Sequence, residues 1–138
     1  MNYLEWFETH SQKHAKILKK LTTLSEDEVV EYFRFENMVK NELDFCLLYA
    51  TNTRCHDIKE LNCYLCACPH FRFNDKGFKK IEDKKLLSFC SVNSKNGSQF
   101  ITKDVIHQDC SNCLIPHKKN YIQKVFKRDW VEIMKEVK

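Results

Sequence analysis

Glycine and proline are almost missing from this chain, with two of each in 138 residues. That leaves little material for long flexible linkers. No stretch approaches the roughly 20 apolar residues that a membrane helix needs. The first residues, Met1-Asn2-Tyr3-Leu4-Glu5-Trp6, carry no basic start and no long apolar run. No secretory signal is therefore expected, and the cytoplasm is the expected compartment. Also absent are a glycine-rich phosphate loop, an H-E-x-x-H helix, paired acids near the cysteines, an internal repeat and any low-complexity tract. Nothing in the chain thus announces a nucleotide-binding loop or a metalloprotease helix.

What is present is globular in character. Hydrophobic residues make up 43% and aromatics 12%, including ten Phe, so the chain is not disordered. Its length suggests one domain with enough core to fold around. The formal charge is +4, from 23 Lys and Arg against 19 Asp and Glu. That balance is weak support for a polyanion partner, because zinc binds deprotonated thiolate. Eight thiolates around two divalent ions would bring the tally to zero. In the expected compartment the eight cysteines read as ligands or free thiols rather than four disulfides.

Apolar spacing places helices at both ends. Leu4, Phe7, Ile17, Leu18, Leu21 and Leu24 share a helical face, predicting a helix over 3–24. His10 and His14 lie between them at i, i+4, as on zinc-binding helices. Their neighbours one turn away, Trp6, Phe7, Ile17 and Leu18, are not ligands, so the pair reads as a polar strip at the edge of the apolar face. Ser25-Glu26-Asp27-Glu28 has the capping-box pattern, opening a second helix from about Glu26 to Leu43 with Val29, Val30, Phe33, Met38 and Val39 inward. The two helices are expected to pack as a hairpin. Tyr121, Ile122, Val125, Phe126, Trp130, Ile133, Met134 and Val137 make the stripe of a C-terminal helix, with Pro116 tolerated at a first turn.

Between them helical periodicity fades. Asn74-Asp75-Lys76-Gly77 and Ser94-Lys95-Asn96-Gly97 are turn signals. Ser88–Val92 and Gln99–Thr102 are expected as short strands around the second of these turns. The expected fold is α+β and mostly helical. A helical pair (1–44) and a C-terminal helix (118–138) surround a loop-rich, metal-organised cysteine segment (45–117), all in a single domain.

The chemistry lies in that segment. Cys63-x2-Cys66-x-Cys68-Pro69 and Cys110-x2-Cys113-x3-His117 each look like half of a metal site. Two intervening residues let a tight turn point both sulfurs at one ion. Cys63, Cys66, Cys110 and Cys113 are the strongest candidates for a tetrahedral tetrathiolate. The 43 residues between Cys66 and Cys110 exceed the spacing of a simple zinc ribbon. Cys68, Cys90, Cys55 and His117 bring the donors to eight, enough for two four-coordinate ions, with the division between them open. His56, directly after Cys55, is a second-tier donor. So is Cys46, which at the end of an apolar helix reads first as a small buried hydrophobe. His70 and His107 flank the candidates as hydrogen-bond supports. Iron–sulfur is the alternative cofactor. Cys66-x-Cys68-Pro69 carries the Cys-Pro of ferredoxin runs, but C-x2-C-x-C is not the C-x2-C-x2-C-x3-C-P pattern.

Asn62-Cys63-Tyr64-Leu65-Cys66-Ala67-Cys68-Pro69 and Gln108-Asp109-Cys110-Ser111-Asn112-Cys113-Leu114-Ile115-Pro116-His117, with Tyr121 after it, resemble the cysteine-rich small domain family of bacteria and archaea. These are zinc-finger-like, presumed metal-binding proteins. The resemblance covers roughly residues 46–122. It implies metal ligation by Cys55, Cys63, Cys66, Cys68, Cys90, Cys110, Cys113 and His117, and no established reaction. Members occur alone or appended to enzymes, some in cobamide metabolism. The Cys46–Cys55 gap is wider than the family's, and the usual glycines are absent directly after Cys90.

Three functions of different class follow. The first is a binding module held by structural zinc, since donors that are only Cys and His make closed sites. The second is a metal-dependent or thiol enzyme or a metal-handling protein, using an exchangeable metal position or a nucleophile such as Cys68 or Cys90. The third is nucleic-acid binding. Lys118, Lys119, Lys124, Lys127 and Arg128 lie beside Tyr121 and Trp130, and Lys76, Lys79, Lys80, Lys84 and Lys85 form another run. Glu82, Asp83, Asp129 and Glu132 interrupt both runs, which favours solvated faces. The partner is then an unknown macromolecule, with protein favoured over RNA or DNA, and no membrane.

Overall fold

The structure, a computed structural model, describes residues 3–74 and 79–137. It is an α+β fold with helices at both ends and short sheets between. The turn signal at 75–77, with Lys76, lies outside the described residues.

Helix α1 spans Tyr3–Lys20 and buries Phe7, Ile17 and Leu18. It stops before the expected residue 24, and residues 21–24 form a turn. The Arg128 guanidinium holds that turn, donating to the Leu21 carbonyl at 3.3 Å and to that of Leu24. His10 and His14 are not at the edge of the face. They are 3% and 0% exposed, packed among Trp6, Phe33, Phe45, Tyr64 and Trp130. The polar-strip expectation is corrected. The apolar stripe of α1 is wide enough to include both rings, and aromatic neighbours from other elements cover them.

Ser25 forms the expected capping box with Glu28. The helix it opens is broken in two, as α2 (Glu26–Tyr32) and α3 (Phe35–Asn41). Neither Gly nor Pro marks the break. It exists because the segment before the first knuckle pairs with it. Cys63 N–H donates to Phe33 O at 2.8 Å, Phe35 N–H donates to Leu61 O at 2.9 Å, and Arg34 bridges Asn62. Nor do α1 and α2 form the expected hairpin. The main partner of α1 is the C-terminal helix α5, and that of α2 is α4.

The C-terminal helix is likewise divided, into α4 (Lys119–Val125) and α5 (Trp130–Ile133), after a 3₁₀ turn at Ile115–His117 that carries Pro116 early. Asp129 caps α5 by accepting from Val131 N–H at 3.1 Å. The Tyr64 hydroxyl donates to Lys127 O in the interruption. A buried tyrosine must find an acceptor, and an unwound carbonyl supplies one.

Among the described residues six strands cross the middle: β1 Phe71–Phe73, β2 Lys80–Ile81, β3 Lys84–Leu86, β4 Ser88–Cys90, β5 Ser98–Ile101 and β6 Val105–Asp109. The two expected strands are present as β4 and β5, but they do not pair around the Ser94–Gly97 turn. β4 pairs antiparallel with β1, placing Phe71 opposite Cys90. β5 pairs with β6 in a four-stranded sheet of order β2-β3-β6-β5, with β3–β6 parallel. The core, built on Phe7, Phe33, Met38, Leu61, Tyr64, Leu65, Ile122, Trp130 and Met134, belongs to the helices and the first knuckle. The sheets contribute little to it, and every residue of β5 is exposed.

Candidate metal centre

Both C-x2-C segments make the turn expected of them. Cys66 N–H donates to Cys63 O at 3.3 Å, and Cys113 N–H to Cys110 O at 3.0 Å. The first turn continues through two residues with positive φ, Ala67 at 92° and Cys68 at 61°. Non-glycine residues pay about 1–3 kcal/mol for such conformations. Here the distortion is held by Cys68 N–H donating to Leu65 O at 2.9 Å and by His70 N–H approaching the Cys68 sulfur at 3.4 Å.

Cys55, Cys66, Cys68, Cys90, Cys110 and Cys113 line one cavity of about 400 Å³ together with His56, His70 and His117. Among the described residues no Asp or Glu lines it. The second strand pair brings Cys90 to Cys68: Ser91 N–H donates to His70 O at 2.8 Å, while Ser94 Oγ lies 3.3 Å from Cys113 Sγ. The thiols fall into two electrostatic neighbourhoods. Charges on Cys63, Cys46 and Cys55 bear on Cys66, whereas those on Cys68, Cys113, Cys90 and Asp109 bear on Cys110. The two knuckles thus each look first to other sulfurs and not to one another. Cys63, 7% exposed, stands behind the cavity beside the buried Tyr49 ring, and burial pushes its thiol up to about 12. Burial raises Cys110 to about 11 and lifts Cys55, Cys66 and Cys68 as well. A thiol activated as a nucleophile would need the opposite shift. Cys46 is half-buried against the core.

The tightest convergence is at the other donors. Cys55, His56 and His117 each offer a ligand atom, and these atoms lie within 4.8 Å of one another. Among the described residues no other three Cys, His, Asp or Glu side chains do so. His56 Nδ1 is 3.0 Å and His117 Nε2 4.0 Å from Cys55 Sγ. The remaining nitrogens meet backbone carbonyls: His56 Nε2 that of Cys110 at 2.8 Å, and His117 Nδ1 that of Asn62 at 2.9 Å. That is how metal-binding imidazoles are commonly oriented. Burial lowers the His117 pKa to about 4, so the ring is neutral and keeps a lone pair for a cation at neutral pH. Thiol and imidazole donors without a carboxylate suit zinc better than magnesium or calcium.

Asn62, unremarkable in the sequence, organises this end. It is 2% exposed. Its side chain donates to Val30 O at 2.7 Å and accepts from Tyr64 N–H at 2.9 Å, while its backbone holds His117 through both N–H and carbonyl. Asn62→Ala leaves the buried Tyr64 N–H unpaired, at about 1–3 kcal/mol, and takes from Val30 O one of two donors, the other being Phe33 N–H at 3.2 Å. The expected result is a loss of about 1–3 kcal/mol in urea unfolding. A change under about 0.5 kcal/mol would refute that role.

Other sequence candidates fall elsewhere. The Tyr121 hydroxyl meets His70 Nε2 at 2.6 Å, and His70 lines the cavity. His107 sits opposite Phe100 in the β5–β6 pair and does not line the cavity. Asp109 accepts from the Ser111 N–H and hydroxyl. Trp130, paired with basic residues in the sequence, is 2% exposed and packed on Phe7 and His10, so its ring is not offered to a base. No helix among the described residues is long and apolar enough to cross a membrane.

Comparison with family models, with curated proteins and with solved structures finds no match for this chain.

Proposed function

We propose that this chain is a metal-binding protein that holds zinc, as two ions, and acts as a structural and binding module. The observation that carries this reading is the convergence of six cysteines and three histidines on one cavity without a carboxylate. One ion is assigned to the all-thiolate neighbourhood of Cys68, Cys90, Cys110 and Cys113. The other is assigned to the histidine end, where Cys55 and His117 meet, with Cys66 on the wall of the same cavity and Cys63 buried. Zinc fits because borderline-soft sulfur and nitrogen donors select it, and because it imposes no redox chemistry on the thiols. The resemblance of the two cysteine blocks to the cysteine-rich small domain family agrees with this assignment. In this reading the ions fix loops that have little core of their own, and the helical exterior meets a macromolecular partner.

Anaerobic purification followed by elemental analysis and a visible spectrum tests it. Two zinc ions per colourless chain are expected, falling to one in a Cys110→Ser, Cys113→Ser variant. A brown protein with charge-transfer bands would replace zinc by an iron–sulfur cluster. Unchanged metal content and fold in the double variant would overturn the assignment.

A further inference from the structure

His56 is only half-buried, yet both of its ring nitrogens are committed. A carbonyl oxygen can only accept, so the nitrogen facing Cys110 O carries the proton. In the neutral ring Nδ1 then presents its lone pair to Cys55 Sγ. His117 repeats the arrangement with its nitrogens exchanged. Nδ1–H donates to Asn62 O, and Nε2 turns its lone pair towards the same sulfur. The ring centroids stand 4.3 Å apart. A neutral Cys55 has one S–H hydrogen and faces two lone pairs, so it can satisfy only one of them. A divalent cation among the three atoms satisfies both lone pairs and the thiolate.

Cys63 lies next to Tyr49, and neither it nor Cys66 comes within the 4.8 Å group. All three donors line the cavity, whose walls also include Cys66, Trp6, Phe71, Ile115 and Pro116. One thiolate and two neutral imidazoles leave a zinc ion with a net charge of +1. Among the described residues no Asp or Glu lines the cavity to offset it, and an apolar wall disfavours an uncompensated charge. An anionic sulfur ligand neutralises the centre, and its carbon chain meets apolar surface.

We propose that Cys55, His56 and His117 are the three protein ligands of one zinc ion whose fourth position faces the cavity and takes a small organic thiolate. This rests on the metal-binding reading, and it promotes His56 over Cys63 and Cys66 at the histidine end. Three protein ligands plus an exchangeable position is the coordination of reactive rather than purely structural zinc. On binding, the thiol displaces a metal-bound water and gives its proton to solvent. No bond to carbon changes and nothing is oxidised.

The test uses the full chain, prepared without thiol reductant, loaded anaerobically with cobalt(II) and titrated with 2-mercaptoethanol. The expected result is a saturable rise in sulfur-to-cobalt charge-transfer absorption, complete at one equivalent of bound thiol per chain. His56→Gln, at a half-exposed position that folding tolerates, should weaken that response at least tenfold while the all-thiolate ion stays bound. A fully loaded chain whose spectrum ignores the thiol would mean that the chain's own sulfur closes the site, overturning this proposal alone. A His56→Gln variant that responds like the parent would also overturn it. A chain that takes up no metal would overturn the broader reading with it.

Discussion

Chelating the bound metal is expected to unfold the cysteine-rich segment while the helices at both ends keep their packing. The strands there are two to five residues long. Few of their side chains are buried; Leu86, Ser88 and Ile106 are the fully covered ones. Short exposed ladders of this kind are marginal without another constraint. A structural zinc ion supplies an apparent stabilisation on the order of 10 kcal/mol at neutral pH in small zinc modules. That is comparable with the whole stability of an ordinary domain. By contrast, Phe7, Phe33, Tyr64, Trp130 and Met134 belong to the helical core, and none of these five lines the cavity. Hydrogen exchange with and without chelator is the measurement. Protection should be lost over 88–117 and retained over α1 and α2. Uniform protection in the metal-free chain would show that the loops hold themselves. Because burial raises the Cys63 and Cys110 thiols to about 12 and 11, uptake must expel protons, and metal affinity should rise with pH.

Acid should unfold the helical core through His10 and His14. Burial lowers the first to about 4, helped by Lys13, and the second to about 3, helped by His10. Both lie below the ordinary value near 6.5. Below that value the unfolded chain binds these protons and the folded chain does not, so stability falls as pH drops. It falls from about 6.5 downwards and levels off only below the folded values. At about 1.4 kcal/mol per pH unit for each ring, pH 5 costs about 2 kcal/mol per histidine. His10 Nε2 has no hydrogen-bond partner, and the ring stacks on Trp6 at 4.8 Å. A phenyl ring can therefore take its place. His10→Phe is expected to shift the acid midpoint downwards and to reduce the pH 5 loss by about half. Urea unfolding at pH 7 and pH 5, with zinc held constant, is the check. Equal pH sensitivity in the variant would trace the acid effect to metal release.

Several parts of this architecture were legible in residues alone. The capping box at Ser25, the amphipathic α1, the two cysteine turns and the helix-rich α+β class depend on contacts within a few positions. Local periodicity and local hydrogen bonding therefore report them directly. The breaks at Arg34 and at Phe126–Arg128 were not legible, because no Gly or Pro causes them. Their causes are carbonyls and N–H groups taken by Leu61, Cys63 and Tyr64, some 30 to 60 positions away. The strand partners were not legible for a related reason. The turn at Ser94–Gly97 invites a hairpin, but β4 pairs with β1 and β5 with β6. His56 offered only adjacency to Cys55 as a signal, and Asn62 offered none.

The sequence by itself determined that this is a thiol- and imidazole-rich chain with helical ends, since donor type and apolar period are properties of the residues. Which donors meet was decided by the tertiary structure alone. A ligand group is a point in space reached from separate segments, and a thiol's neighbours depend on how those segments cross. Asn62 joins α2 and the α2–α3 break to the His117 turn, His56 reaches the Cys110 carbonyl, and Cys55, His56 and His117 meet. No spacing along the chain encodes that distance.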